Sequence, residues 1–516
     1  MIHRFLACAS ALLLFIIVTA CHRAPSASTL EAQSHPHRLT LHISAEPVSL
    51  DPTQAEDGIA VRLLANLMDG LTAFDQSGHL GLRAAESVKI SSDLKTYEYV
   101  LKPGLVWSDG LAVEAEQFRI GIERALKPGS GSKFAGLLKW IDGADDFSKG
   151  VTARVRGIEI SGRTIKFHLV KPISFFAEVL ALPLAYPLRS DILHANGGRW
   201  DPLRGKKVPT NGSYRIRSAT PDLEILLEAN RPISPSAPSE VRIRIVSDDS
   251  TATNLFEEGS LDVLTRVPAL DQARLSKKGW VRTVPFLATY FLGFNLGKKP
   301  FNRVENRRAF VNGLNREEIV RALGTGEKPA SSWVPEGVEG FFPYAPSAQA
   351  KGVIFSKLGE ITIGYDAGAR NSLVMEKVQA DLKDHLGVKV RLKGSDWKPF
   401  VHSIYADPEM VYRFGWSTPL RDPTHFLLPF TTKDPYSFSH YSNAKYDRLV
   451  EEIVGMMPSK EREAKIIAAQ KIILEDDVVV VPLFHYVSTY AVSDRVKKFE
   501  MSPLVGVTLF EEVRLR

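Results

Sequence analysis

Two separate stretches of the sequence alternate between strand-like and helix-like hydrophobic patterns. In the first stretch, Val241, Ile243 and Ile245 alternate with polar residues, a helical pattern follows as far as Gly259, and apolar residues resume at 263–264. A strand, a helix and a second strand in succession are typical of a parallel sheet covered by helices.

The second stretch lies in the other half of the chain. Residues 361–365 are strand-like, residues 373–386 have helical spacing, Gly387 marks the helix end, and residues 388–392 alternate again. Because the two β-α-β patterns are far apart, we expect two α/β lobes rather than one continuous sheet.

The N-terminus has the layout of a secretory signal, in which Arg4 precedes an apolar run over residues 5–20 and Cys21 follows. A permanent transmembrane helix is the weaker interpretation, because the run is shorter than the roughly 20 residues that span a bilayer and polar, turn-rich sequence follows it. We therefore predict a signal peptide over residues 1–20.

The stretch VTAC that ends at Cys21 resembles the lipobox of bacterial lipoproteins, with Val18 in place of the usual Leu. The second cysteine, Cys8, lies in the removable segment, so the mature chain cannot form an internal disulfide. A single cysteine at this point of an exported chain favours lipidation over an incidental thiol. We predict a lipidated, flexible tether over residues 21–38, and we expect the folded part to begin near Leu39.

Net charge and the absence of catalytic motifs count against nucleic-acid-binding proteins, serine hydrolases and zinc enzymes. A formal net charge of +6 over 516 residues is too dilute to predict nucleic-acid binding. No serine lies in a Gly-x-Ser-x-Gly elbow, and none of the thirteen histidines begins a His-Glu-x-x-His zinc motif. The sequence therefore predicts neither an enzyme nor a metal or cofactor site.

Several motifs follow one another along nearly the whole mature chain. They are EPVSLDP (46–52), LKPG (101–104), WSDG (107–110), PTNGSY (209–214), FEEGSLD (256–262) and YFLGFNLGKKPFNRVENRRAFVNGLNR (290–316). In this order and spacing they resemble the oligopeptide- and dipeptide-binding proteins of ABC importers, the extracellular solute-binding family 5.

This resemblance implies an α/β, two-lobed periplasmic-binding-protein fold of type II, the peptide-binding class, with an extra subdomain in the first lobe. We expect lobe I over residues 39–285 with an inserted subdomain at about 76–200, lobe II over 286–486, and a return to lobe I over 487–516. Such a protein captures a peptide or peptide-like ligand between its lobes by hinge closure, and the permease of an ABC importer recognises the closed form. We expect a monomer held at a bacterial membrane by its lipid anchor, on the periplasmic or cell-surface side.

The resemblance also implies the ligand-binding positions. Two lie in the loop after the first strand, two at the crossing between lobes, and the others in the second lobe: Glu46, Val48, Tyr290, Asn295, Trp397, Gly415, Trp416, Ser417 and Asp422.

One position departs from the family pattern. Peptide-binding relatives carry an aspartate that pairs with the ligand's α-ammonium, and Pro419 stands at that position here. Either another acid, such as Glu46 or Asp422, takes over this role, or the ligand has no free amino terminus. The alternatives are therefore a blocked peptide, a cell-wall fragment, a sugar or a metal chelate in the same fold, or an adhesin or chaperone-like function.

Overall fold

The computed structural model describes residues 35–203, 208–344, 359–504 and 507–516. The predicted signal peptide, the predicted lipidation site at Cys21 and most of the predicted tether lie outside the described residues. The first described strand begins at Arg38, one residue before the expected start of the fold.

The described strands form one large sheet and three small ones. In chain order they are β1 (Arg38–Ile43), β2 (Thr72–Phe74), β3 (Leu80–Leu82), β4 (Ala85–Ile90), β5 (Thr96–Leu101), β6 (Ile158–Ser161), β7 (Thr164–His168), β8 (Tyr214–Thr220), β9 (Glu224–Ala229), β10 (Glu240–Ile245), β11 (Val263–Leu264), β12 (Val281–Phe294), β13 (Lys328–Pro329), β14 (Ile361–Asp366), β15 (Val390–Ser395), β16 (Val411–Ser417), β17 (Val480–Val492), β18 (Val496–Lys498) and β19 (Arg514–Leu515). The large sheet has the order β15-β14-β16-β12-β17-β11-β1-β10-β9-β8, with β13 also paired to β17.

The described α-helices are α1 (Gly58–Leu67), α2 (Ala115–Leu126), α3 (Ala144–Ser148), α4 (Phe176–Val179), α5 (Ser190–Ala195), α6 (Asp249–Glu257), α7 (Ala269–Lys277), α8 (Val304–Asn312), α9 (Arg316–Leu323), α10 (Ala369–Leu386), α11 (Trp397–Ala406), α12 (Thr424–Leu427), α13 (Ala444–Val454) and α14 (Lys460–Lys471). A π-helical turn, Ile472–Asp476, continues α14. We call β11, β1, β10, β9 and β8 the first half of the large sheet, and β15, β14, β16 and β13 the second half.

Two long antiparallel strands, β12 and β17, join the halves. Residues 281–285 of β12 pair with 487–491 of β17 next to the first half, and residues 289–293 pair with 480–485 next to the second half. The register shifts between Pro285 and Thr289. The two predicted lobes are therefore joined through one hydrogen-bonded sheet, because both crossing strands belong to both halves; the expectation of two lobes rather than one continuous sheet did not include this connection.

Each half contains one of the predicted β-α-β units. In the first half, β10 and β11 lie on either side of β1 and are parallel to it, and α6 connects them. In the second half, β14 and β15 are parallel and α10 connects them, with Gly387 in the left-handed conformation after the helix. Glycine adopts this conformation without the steric cost of a Cβ atom. Both predicted units are confirmed.

A separate four-stranded antiparallel sheet, β4-β5-β7-β6, lies between β1 and the return of the chain to the large sheet at β8. Its core contains Trp107, Phe118, Phe167 and Trp200, and this core is continuous with that of the first half through residues such as Leu39. We call residues 76–200, which contain this sheet, the inserted region. It packs onto the first half as one hydrophobic unit.

The second half has apolar clusters on both faces of its sheet, one around Trp333 and Phe426 and the other around Tyr290 and Phe310. Within the described ranges, no helix combines the length and the apolar character needed to cross a bilayer.

The contact between β12 and β16 tests how closely the second half is packed. A Cβ atom at Gly293 would overlap the ring of Tyr412, which is only 3% exposed and has little room to move. We expect Gly293→Ala to lower the free energy of unfolding by about 1–3 kcal/mol, the usual cost of overpacking a core, measured by urea denaturation. Gly81→Ala is the matched control, because Gly81 also lies in a strand and has no atom within 4 Å of a built Cβ; an equal loss in both variants would contradict this account.

Candidate functional site

A cavity of about 990 Å³ lies between the two halves of the large sheet. The first half contributes residues that follow β1 and β11, together with α1 and α7, and the second half contributes residues that follow α9, β14 and β16. The crossing strands form its back wall with Phe286 and with Val487, Ser488 and Thr489. A molecule in this cavity would therefore contact both halves at once.

The topology explains why polar groups meet at this place. Strands β1 and β11 are parallel, and their carboxyl ends deliver Ser44 and Thr265 to the cavity. On the opposite side, the chain leaves the carboxyl end of β14 and enters α10 at Ala369 and Arg370. In open α/β sheets, ligands bind beyond the carboxyl ends of the strands, where the connecting loops diverge.

His42 lies at the wall of the cavity and is 1% exposed. Its Nδ1 accepts a hydrogen bond from the backbone N–H of Thr265 at 3.4 Å. Burial lowers the pKa of His42 to about 4, although the Asp249 carboxylate acts in the opposite direction. The imidazole is therefore neutral at physiological pH, and its ring also hydrogen-bonds to the backbone of Val263.

The carboxylates that line the cavity have cationic partners. Glu327, whose side chain is fully buried, lies 2.9 Å from Nη2 of Arg370, and the hydroxyl of Thr325 also donates to it. Asp249 pairs with Arg266, and Glu56 pairs with Lys133. In the described ranges, no cluster of three or more His, Cys, Asp or Glu side chains is arranged to hold a metal ion.

Residues 80–438 match the model of the bacterial extracellular solute-binding proteins, family 5 (middle region). The chain belongs to this family. Membership places it among solute-binding proteins and not among enzymes.

Curated relatives of this solute-binding chain cover nearly its whole length. The oligopeptide-binding protein OppA of Bacillus subtilis is 26% identical over 490 residues, with 89% of both chains covered. The probable deoxycholate-binding periplasmic protein YgiS of Escherichia coli is 27% identical over 467 residues, with 86% of both covered.

Solved structures show the same architecture. The unliganded open form of the murein tripeptide-binding protein MppA superposes with a TM-score of 0.79 at 24% identity, covering 93% of this chain and 97% of that one. OppA of Haemophilus influenzae in complex with the peptide RPPGFSPFR superposes with a TM-score of 0.73 at 23% identity, covering 93% and 99%. These matches confirm the predicted two-lobed α/β fold of the peptide-binding class.

The residues predicted to bind ligand are placed in different environments. Ser417, at the end of β16, lines the interlobe cavity, and Thr418 and Pro419 line it directly after. Gly415 and Trp416 precede them in β16, where they pair with Tyr290 and Thr289 of β12. Trp416 donates from Nε1 to the backbone oxygen of His425 at 2.8 Å, which fixes its ring against the second half.

Tyr290 and Asn295 are buried structural residues and do not line the cavity. The Tyr290 ring stacks on Phe484 with centroids 4.4 Å apart, and its hydroxyl donates to Asn371 at 3.2 Å. Asn295 donates from Nδ2 to the backbone oxygen of Pro408 at 2.8 Å and so holds a loop. Sequence position at the crossing between lobes does not distinguish the two faces of a strand, whereas packing does.

Glu46, Val48 and Trp397 also lie outside the wall of this cavity. Val48 is 79% exposed in the loop after β1, and Glu46 is partly exposed in the same loop. Trp397 begins α11, is 56% exposed, and stacks on Phe414 with centroids 6.1 Å apart. The two loop residues and this tryptophan are accessible to solvent and are not part of the cavity lining.

Asp422 occupies a buried ion cluster that sequence reasoning missed. Nη2 of Arg462, whose side chain is fully buried, lies 2.6 Å from Oδ2 of Asp422, and the other terminal nitrogen contacts Glu339. From the inserted region, Glu178 accepts hydrogen bonds from the backbone N–H groups of Arg421 (2.7 Å) and Asp422 (3.1 Å). We call Glu178, Glu339, Asp422 and Arg462 the buried ion cluster. Asp422 is therefore committed to joining the inserted region to the second half and is not free to hold an ammonium group.

The buried ion cluster predicts a pH dependence of stability. Burial and the neighbouring Asp422 carboxylate raise the pKa of Glu178 from 4.5 to about 7. The folded chain therefore binds this proton more tightly than the unfolded chain, so the stabilisation is complete below pH 4.5 and is lost as the pH rises through 7. In Glu178→Gln, the amide oxygen can still accept both N–H hydrogen bonds, but the side chain cannot ionise.

We compare the free energy of unfolding of Glu178→Gln with that of the unmodified chain, by urea denaturation at pH 5 and at pH 8. We expect the difference to shift in favour of the variant by about 1–2 kcal/mol from pH 5 to pH 8. The control is Glu86→Gln in β4, whose side chain is 55% exposed and pairs only at the surface. A difference that is the same at both pH values would contradict the assignment.

Proposed function

We propose that this family 5 protein captures an oligopeptide-like solute in the interlobe cavity and presents it to the permease of an ABC importer. The observation that carries the proposal is a cavity of about 990 Å³ whose walls come from both halves of the sheet, at the carboxyl ends of their parallel strands. Relatives named as oligopeptide- and dipeptide-binding proteins, at 26% identity over most of the chain, support the choice of ligand class.

Strand pairing supports recognition of a ligand's main chain. Beyond Tyr412, residues 413–417 of β16 pair with β12 on one edge, and no strand among the described residues pairs with the other edge. The chain then continues into the cavity wall at Ser417. An extended peptide that hydrogen-bonds to this edge would be recognised through groups that all peptides share. Gly415, Trp416 and Ser417 thus remain proposed binding positions, through their backbone.

The crossing strands support closure by a hinge. We propose that residues 39–285 and 487–516 move as one body, with the inserted region at about 76–200, and that residues 286–486 move as the other. The register shifts of β12 near Pro285 and Tyr290 fall at the boundary between these bodies, where regular pairing is interrupted. A ligand that contacts both walls stabilises the closed arrangement through its greater affinity for it.

The alternative ligand class, a molecule without a free α-amine, is favoured by a specific observation. Pro419 lines the cavity at the position where peptide-binding relatives carry their ammonium anchor, and neither proposed substitute reaches the cavity wall. Asp422 is held by Arg462, and Glu46 lies in the loop after β1 outside the cavity lining.

Filling the cavity tests the proposed function. Ser417 is exposed at the cavity wall, so Ser417→Trp should block the space without disturbing the core. We expect members of a short-peptide library to raise the thermal stability of the purified mature chain, because a ligand that binds only the folded state stabilises it. We expect Ser417→Trp to lower the affinity for these peptides at least tenfold and so to remove the stabilisation.

Ser92→Trp is the matched control, because Ser92 is exposed in the inserted region and lies outside the cavity wall. The readouts are thermal melting and native mass spectrometry of the protein with its bound ligand. Peptide binding that survives Ser417→Trp would place the ligand elsewhere, and the absence of any peptide binding would contradict peptide capture.

We also propose that the mature chain is a lipoprotein anchored through Cys21, with residues 21–38 as a tether that leaves the binding body free in the extracytoplasmic space. Acyl chains contribute about 0.8 kcal/mol per buried methylene, so several chains on one residue hold the protein at a membrane. The arrangement of an apolar run that ends in VTAC supports this anchor.

Cysteine replacement tests the anchor. We expect Cys21→Ala to abolish incorporation of labelled palmitate and to change the processing of the chain, because the acceptor thiol is gone. Cys8→Ala is the matched control, since Cys8 lies within the predicted signal peptide. The measurement is metabolic labelling of the two variants in a bacterial host, and labelling that persists in Cys21→Ala would contradict lipidation at this residue.

A further inference from the structure

We propose that Arg62 is an anion-binding residue of the interlobe cavity, and that the ligand is an organic acid that places a carboxylate on Arg62 and carries no free α-ammonium. This inference rests on the proposed function, because it concerns the ligand of the same cavity. It adds a residue of α1 that sequence reasoning did not identify, and it decides between the two ligand classes.

Arg62 lies on α1, whose start is fixed by Asp57, because the Asp57 side chain accepts a hydrogen bond from the backbone N–H of Ala60 at 2.8 Å. Arg62 lines the cavity, and its guanidinium donates from Nε to the backbone oxygen of Gly58, one turn earlier, at 3.0 Å. No carboxylate of the described residues lies within ion-pair distance of it. Its terminal nitrogens therefore remain available for a ligand.

The other charged side chains of the cavity wall are neutralised by neighbours. Asp249 pairs with Arg266, Glu327 pairs with Arg370, and Glu56 pairs with Lys133. Among the described lining residues, Arg62 is thus the charged group without an ion-pair partner. The lining cations and carboxylates balance in number and Asp57 attracts Arg62 electrostatically, but no carboxylate of the described residues forms an ion pair with this guanidinium, which is partly shielded from water.

Neutral polar side chains also line the cavity. His42 lies within electrostatic reach of Arg62, which lowers the pKa of the imidazole, and its ring hydrogen-bonds to the backbone of Val263 and Thr265. Gln272, on α7 in the same cavity wall, has a side-chain oxygen that is buried and accepts no hydrogen bond from the described residues. The cavity wall therefore offers the Arg62 guanidinium to an anion and the Gln272 oxygen to a hydroxyl or amide N–H, and each of its lining carboxylates already has a cationic partner.

The energetics favour an anion over a cation here. A carboxylate can accept two parallel hydrogen bonds from a guanidinium, the strongest pairing available to either group. An ammonium group buried in the same cavity would find paired carboxylates and Pro419, and leaving it without a partner costs several kcal/mol. Burial lowers the pKa of Arg62 by penalising its charged form, and an arginine remains protonated at neutral pH. A ligand carboxylate would relieve this penalty.

The test compares matched ligands by isothermal titration calorimetry of the purified mature chain. The probes are an N-acetylated tripeptide acid, the same peptide as its C-terminal amide, the unacetylated peptide acid, and deoxycholate as a carboxylate that contains no peptide bond. We expect the acetylated acid to bind at least tenfold more tightly than its amide, and at least as tightly as the unacetylated acid.

Arg62→Gln should abolish the preference for the acid over the amide, and Arg62→Lys should restore part of it, because lysine keeps the charge but loses the two-point geometry. Arg303→Gln is the matched control, since the Arg303 side chain is 72% exposed and outside the cavity wall. It should leave the preference unchanged.

The outcomes separate this inference from the proposed function. Peptide binding with equal affinity for acid and amide, or a preference that survives Arg62→Gln, overturns the role of Arg62 and leaves peptide capture intact. Tenfold tighter binding of the unacetylated peptide overturns the exclusion of an ammonium group. Deoxycholate binding that depends on Arg62, without peptide binding, supports the anion site and overturns peptide capture. Binding of none of the four probes overturns both.

Discussion

The antiparallel pairing of β12 with β17 is the interaction on which the rest of this structure depends. These two strands are the members of the large sheet that serve both halves, and their hydrogen bonds continue from one half to the other across shifts in register. The pairing fixes the distance between the two walls of the cavity. The interrupted register gives the same strands a place to bend, so one ladder provides both the connection and the proposed hinge.

The inserted region adds a second connection between the halves, and this one is made of charges. Arg462 is fully buried and is held by Asp422 and Glu339, while Glu178 of the inserted region receives the backbone N–H groups beside Asp422. A buried charge is tolerated when it is paired and hydrogen-bonded, and loss of one partner leaves the other charges buried and unpaired. The cluster therefore restricts how the inserted region can sit against the second half, in a way that apolar packing alone would not.

Local sequence patterns predicted much of the fold because they depend on neighbouring residues. The helices of both β-α-β units follow from apolar spacing, and the left-handed Gly387 ends one of them as expected. The lining of the cavity was harder to predict, since resemblance identified strands and loops but not which side of each strand faces the cavity. Ser417 reaches the cavity wall, whereas Tyr290 and Asn295 on β12 and in the following loop are buried among second-half residues. Arg62 had no motif to mark it.

The sequence by itself determined that the chain has two α/β units and that it belongs among solute-binding proteins, and its resemblance to the family predicts an inserted region and Pro419 in place of an acidic anchor. Only the tertiary structure decided that the halves share a sheet, that Asp422 forms an ion pair with Arg462, and that Arg62 lines the cavity without a carboxylate at ion-pair distance among the described residues. The physical reason is that hydrophobic periodicity and turn residues act between neighbours in the chain. Whether a charge is neutralised depends on partners that are distant in sequence, and folding alone brings those partners together.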